Sequence, residues 1–516
     1  MPLSATLLRS AAVRSSSLRR VPASLPKTFA RFLATPAESP APKYTTLKNG
    51  LTVCYSPAPN PELASATAIQ ISLLNHFRIK LYCVYGASSC IASLEVPYTQ
   101  TATVGVWIDS GSRSETEANN GTAHFLEHLA FKGTEKRSQR DIELEIENLG
   151  AHLNAYTSRE NTVYYAKAFK SDVPKTVEII SDILQNSKLE KNAIERERDV
   201  IIRESEEVEK LYEEVVFDHL HAVAFQGQNL GRTILGPKEN ILSISREDLT
   251  SYISQNYKAD RMVLVGTGAV KHEELVSLAE THFSGLQTSA EALSIGSPRG
   301  EKPQFVGSEV RIRDDAIPVA HIAIAVEGVS WSDPDYYKAL VAQAVIGNWD
   351  RTLGNATVMG SKLSYACSEG HLANSYMSFS TSYSDTGLWG IYLITENLTG
   401  IDDLVYNTLK EWRRLSTSVT ESEVERAKAK LKASLLLSLD GTTAIAEDIG
   451  RQLVTTGRCV GAAEIERIVD AITVKDVQNF AQKFLWDKDI AVAAYGSIEG
   501  LLDYSRLRNL MASLRW

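Results

Sequence analysis

A short pattern occurs twice in the chain, 228 residues apart. Ile244-Ser-Arg-Glu-Asp-Leu-Thr-Ser-Tyr252 leads into Arg261-Met-Val-Leu-Val-Gly266 and then Gly268, while Ile472-Thr-Val-Lys-Asp-Val-Gln-Asn-Phe480 leads into Asp489-Ile-Ala-Val-Ala-Ala494 and then Gly496. Apolar positions fall on apolar positions, and Asp248 falls on Asp476. An internal duplication accounts for this better than chance. At 516 residues the chain is also too long for one ordinary core, so two like domains are expected. Residues 288–304, TSAEALSIGSPRGEKPQ, hold two Gly and two Pro without an apolar period and read as the linker. That leaves 43–287 as the N-terminal domain and 305–516 as the C-terminal one.

Alternating apolar runs at 102–108, 163–169, 321–326 and 387–394 predict strands, and 172–185 and 421–437 predict helices. The two kinds are interspersed without a strict βαβ rhythm. The expected fold class is therefore α+β: two homologous α/β-sandwich domains forming a clamshell around a cavity.

Composition narrows the function. No apolar run reaches the ~18–20 residues of a membrane helix, which argues against an integral membrane protein. A formal net charge of -9 and a pI near 5.7 argue against nucleic acid as a partner. Cys54, Cys83, Cys90, Cys367 and Cys459 lack CxxC spacing, so any metal must use other ligands. Residues 1–33 carry Arg9, Arg14, Arg19, Arg20, Lys27 and Arg31, no acid, and many Ser, Ala and Leu. That composition predicts a mitochondrial transit peptide and a matrix location. Without those cations the remainder is more acidic still, which favours a cationic partner. Residues 54–91 hold three of the cysteines and a hydrophobic run of no clear period. They read as an atypical insertion, on the surface or from a retained intron, because deleting them would leave one strand, a turn and a second strand.

The chemistry is concentrated at His124-Phe-Leu-Glu-His128. Four residues apart on a helix, His124 and His128 stand on one face and can share an ion, with Glu127 beside them. By chance H-x-x-[DE]-H is expected roughly 0.02 times in a chain of this composition. A catalytic zinc site needs a third protein ligand and keeps one position open. The acidic stretch 195–218 is a candidate for it. As one continuous helix, it would place Glu197, Glu204, Glu207, Glu214 and Asp218 in one sector about 100° wide. Glu206, Glu209 and Glu213 would face solvent.

With a glutamate 76 residues beyond His128, at Glu204, the motif resembles the inverted-motif zinc metallopeptidases of the pitrilysin group. Within that group, Asn120-Gly-Thr-Ala-His-Phe-Leu-Glu-His-Leu-Ala-Phe-Lys-Gly-Thr134 resembles the β-type chains of the heterodimeric processing peptidases of mitochondria. The similarity runs from about Lys43 to the C-terminus, apart from 54–91. The resemblance implies one Zn2+ per chain, held by His124, His128 and Glu204, with Glu127 as general base and Glu197 supporting the site. It implies that Glu214 and Asp218 receive an arginine of a basic presequence peptide, and that Asn154, Ala155 and Tyr156 form an edge strand to which the peptide adds. Tyr383 resembles a tyrosine of the second half that approaches the substrate. The resemblance also implies an α-type partner subunit carrying a glycine-rich loop that this chain lacks. Other members of the group are core subunits of the respiratory bc1 complex, so association with that complex is the alternative role.

Matching Gly133 to Gly347 puts Lys338, Val341 and Ala342 where the first half has His124, Glu127 and His128. The second repeat is thus expected to keep the fold without the metal and to serve as a substrate wall.

Overall fold

The computed structural model describes residues 43–46, 52–55, 90–95, 99–291, 294–353 and 360–512. The expected transit peptide lies outside the described residues, as does 54–91 apart from its two ends.

Helices and two sheets make up the described chain. The first sheet consists of β1 (Lys43–Thr46), β2 (Thr52–Tyr55), β3 (Cys90–Glu95), β4 (Thr101–Ile108), β5 (His152–Thr157), β6 (Thr162–Phe169) and β7 (Met262–Gly268), in the order β1-β2-β3-β7-β4-β6-β5. The second consists of β8 (Glu309–Arg313), β9 (Ala320–Glu327), β10 (Asn348–Asp350), β11 (Ser375–Ser382), β12 (Gly387–Thr395) and β13 (Ala491–Gly496), in the order β10-β11-β12-β9-β13-β8. β7 runs parallel to β3 and antiparallel to β4, and β13 runs parallel to β8 and antiparallel to β9. The repeated sequence pattern therefore delivers its strand into the same slot of each sheet. The matched aspartates do the same job in each repeat: Ser245 with Asp248, and Thr473 with Asp476, form capping boxes at the start of the preceding helix.

Where deletion of 54–91 would leave one strand, the chain lays β2 and β3 side by side in parallel, with Thr52 opposite Cys90.

Each sheet takes a helix from the other half of the sequence against one face. Trp107, Val163, Val263 and Val265 of the first sheet bury Ile445, Ala446, Ile449 and Leu453 of the helix Thr442–Thr456. Ala323, Ala325, Ala491 and Ala493 of the second sheet bury Val216, Leu220, Val223 and Ala224 of the helix Tyr212–Ala224. The small sheet residues let that helix lie close, and Gly450 does the same on the other side.

That exchange corrects one expectation. Residues 195–218 do not form a single helix: one helix spans Lys191–Val208, the chain turns at Glu209, Lys210 and Leu211, and a second spans Tyr212–Ala224. Leu211 has non-helical angles (φ -93, ψ 87). Just beyond it Tyr212 stacks against the second repeat, its ring 5.0 Å from His321 and 5.5 Å from Tyr495. Tertiary packing outweighs the helical propensity of the run. The single 100° sector joining Glu204 to Glu214 and Asp218 does not exist, because the turn resets the helical phase.

Gly450 lies in the middle of its helix, where Gly→Ala ordinarily gains up to about 1 kcal/mol. Here a Cβ would stand 2.2 Å from Cδ2 of the Trp107 ring. Gly450→Ala should instead destabilise the protein by about 1–3 kcal/mol, read as a lowered midpoint of thermal or denaturant unfolding.

Candidate metal centre

His124, Glu127 and His128 lie on the short helix Thr122–Leu129, which the chain enters through Gly121 at φ 104. The imidazoles stand one turn apart as the spacing requires, with ring centres 4.7 Å apart and planes at 72°. Glu204, from the helix Lys191–Val208, brings Oε2 to 3.0 Å from Nε2 of His128 and 3.7 Å from Nε2 of His124. One ligand atom from each of the three residues lies within 4.8 Å of the others, and among the described residues this is the one such group of acids, histidines and cysteines.

The electrostatics suit a cation. Burial, with His128 alongside, pushes His124 down to about 4, so its ring stays neutral and its lone pair free. Burial alone would lower His128 too, but Glu204 and Glu197 hold it raised. Glu204 is lowered, first by His128. Its Oε2 is buried without a hydrogen-bond partner, facing both imidazoles. Two imidazole nitrogens and one carboxylate oxygen are the kind of donor set that a catalytic zinc ion takes.

Glu197 stands two turns before Glu204 on the same helix and is 6% exposed. Its Oε2 lies 3.4 Å from Nδ1 of His128, and its Oε1 accepts a 2.8 Å ion pair from Lys132. A carboxylate on the outer ring nitrogen fixes the tautomer that presents Nε2 to a metal. Glu127 is half-buried, and burial raises its carboxyl while Thr157 at the end of β5 opposes the shift.

Asn154, Ala155 and Tyr156 lie on β5, at the open edge of the first sheet as expected. The Ala155 N–H is taken by Oδ1 of Asn154 at 2.8 Å, and the Tyr156 hydroxyl is committed to Glu447 of the exchanged helix Thr442–Thr456. Glu214 is exposed. Asp218 accepts from Nη2 of Arg159 at 2.6 Å.

Tyr383 is placed by the second repeat. It is 7% exposed and belongs to the core between the second sheet and its exchanged helix. Nδ1 of His221 lies 2.7 Å from the Phe217 carbonyl and so carries the proton, which leaves Nε2 to accept from the Tyr383 hydroxyl, also at 2.7 Å. Burial pushes the phenol up to about 12. In this structure its hydroxyl is engaged by His221, beside Arg159.

Sequence reasoning missed Lys132, Arg159 and Arg113. Lys132 follows His128 by four residues, a spacing that could have revealed it. Arg159 lies two residues beyond the edge strand. Arg113 joins the halves, pairing with Glu160 and Asp385 at 2.6 Å each, and no local pattern announces it.

A family model described as "Insulinase (Peptidase family M16)" matches residues 90–238, and one described as "Peptidase M16 inactive domain" matches 243–431. The mitochondrial-processing peptidase subunit beta of Lentinula edodes is 67% identical over 425 residues, covering 82% of this chain and 91% of that protein. The human protein of the same name is 53% identical over 420 residues, covering 80% and 84%. Among solved structures, a chain of "Complex III2 from Candida albicans, Inz-5 bound" superposes with a TM-score of 0.74 at 29% identity, covering 91% of this chain and 100% of that one. Duplicated α+β repeats with a His-x-x-Glu-His helix in the first are thus the frame of a metallopeptidase. The chain belongs to peptidase family M16, in the branch of the mitochondrial-processing peptidase β subunits.

Glu197→Gln should leave the fold intact and weaken zinc binding about 10- to 100-fold, measured by competition with a metal chelator.

Proposed function

We propose that this chain is the catalytic β-type subunit of a zinc endopeptidase that removes basic N-terminal presequences from precursor proteins in the mitochondrial matrix, working with an α-type subunit. The convergence of His124, His128 and Glu204 beside Glu127 carries this reading. The relatives' names support the substrate class and imply the α partner.

His124, His128 and Glu204 would hold the zinc, which would supply Lewis acidity for the scissile carbonyl and for an attacking water. Glu127 takes the proton of the attacking water and delivers it to the leaving amine nitrogen, and its burial-raised carboxyl suits that two-way transfer. Glu197 orients His128. The open edge of β5 binds the extended peptide through main-chain hydrogen bonds. Asp218 and Glu214 receive a substrate arginine, and Asp218 already accepts a guanidinium from Arg159. The second repeat forms the opposing wall.

A second role has an observation of its own: the likeness to a chain of complex III2 supports service as a core subunit of a respiratory bc1 complex, alongside processing.

Glu127→Gln, assayed with an α-type partner, should keep its zinc and lose presequence cleavage, because ligands and base are different residues. Loss of the metal would contradict those roles. Asp218→Asn should raise KM for an arginine-containing presequence about tenfold and leave an arginine-free analogue unchanged.

A further inference from the structure

The metal-binding helix is only eight residues long, and its N-cap, Gly121, has no side chain to cap it. A helix of that length does not hold itself together in water, and its first turn leaves backbone N–H groups without partners. Two N–H groups at this start, those of Gly121 and Ala123, are met from outside the helix. Glu115, 1% exposed, accepts from the N–H of Ala123 at 2.6 Å through Oε1, and from the N–H of Gly121 at 2.9 Å through Oε2. Nδ2 of Asn120 donates to the same Oε2 at 2.7 Å and to the Thr233 carbonyl at 2.9 Å. Arg232 donates to the main-chain oxygen of Glu115. Gly121 is pressed against Leu235, whose carbonyl oxygen would be 2.7 Å from a Cβ at that position.

The carboxylate, the start of the helix and the segment 232–236 therefore form one block, and His124 is the residue immediately after Ala123. We infer that Glu115 is a positioning residue: its buried carboxylate clamps the first turn of the helix and so sets where His124 and His128 present their nitrogens to the metal. The inference rests on the proposed zinc site. A negative charge at a helix N-terminus is favoured by the helix dipole, and hydrogen bonds to an ionised acceptor are about twice as strong as neutral ones. Burial lifts the carboxyl to about 7, and the bonds from Ala123, Asn120 and Gly121 together with the charge of Arg232 oppose that lift. Glu115 lies eight positions before Ala123, and only the fold joins them.

The test uses the full chain with its α-type partner and compares wild type, Glu115→Gln and Glu115→Asp. The glutamine variant keeps one acceptor but turns an amide N–H2 toward backbone donors. It should bind zinc roughly tenfold more weakly, alter the visible spectrum of the cobalt-substituted protein, and lower kcat with KM unchanged. The aspartate variant, which retains the charge, should recover part of the loss. A folded glutamine variant with wild-type zinc affinity and cobalt spectrum would overturn the inference. If that variant fails to fold, Asn120→Ala, which removes one donor to the carboxylate, decides by the same readouts: weaker zinc binding supports the inference and unchanged binding overturns it. Wild-type protein that binds zinc yet leaves a presequence peptide intact would refute the proposed function and leave the Glu115 result standing.

Discussion

Everything in the first repeat is arranged around an electrostatic cost: two imidazoles and a carboxylate brought within 4.8 Å of one another where burial penalises charge. Two helices have to be fixed against each other for this to persist. Arg198 does part of that work from the glutamate-bearing helix. Its guanidinium lies 5.7 Å from the centre of the Phe125 ring on the histidine-bearing helix and donates to the Ile244 carbonyl at 3.0 Å. Glu197 then reaches back to His128, and Lys132 holds Glu197 in place. Each helix is thus tied down by side chains other than His124, His128 and Glu204 themselves.

Much of this was legible in the sequence because it is local. The four-residue spacing of His124 and His128 and the seven-residue spacing of Glu197 and Glu204 each survive within one helix, and both glutamates do meet His128. The strand at 387–394 and the helix at 421–437 came from periodicity, and the structure places them at Gly387–Thr395 and Glu421–Leu437. The shared aspartate of the two repeats is explained by capping boxes, a purely local device. What escaped was set by distant parts of the chain. The turn at Glu209–Leu211 leads straight into Tyr212, which packs on His321 and Tyr495 of the second repeat, and the Tyr383 hydroxyl bonds His221, 162 positions away. No periodicity in an acidic run carries that information.

The turn also places the acids of the proposed site on two different supports. Glu204 rides on a helix packed in the first repeat, whereas Glu214 and Asp218 ride on the helix buried against the second sheet. Arg159, in the turn after the edge strand β5, bonds Asp218 across that division, and Arg113 bonds Asp385 close by. Any rotation of one repeat against the other would thus move the acids relative to the metal ligands. The buried ion pairs at this junction resist it, since breaking such a pair leaves a charge without its partner.

The second repeat shows what the same frame does without the chemistry. Val341 and Ala342 are fully buried in its core, and Lys338 turns aside to pair with Asp335 at 2.7 Å. Replacing buried polar groups with well-packed apolar ones is neutral or stabilising. The repeat therefore loses nothing in stability by having no site. The first repeat instead keeps a cluster of imidazoles and carboxylates, with His124 buried and Glu204 partly open to solvent. Glu204 turns an oxygen without a hydrogen-bond partner toward two imidazoles, an arrangement that suits a bound cation.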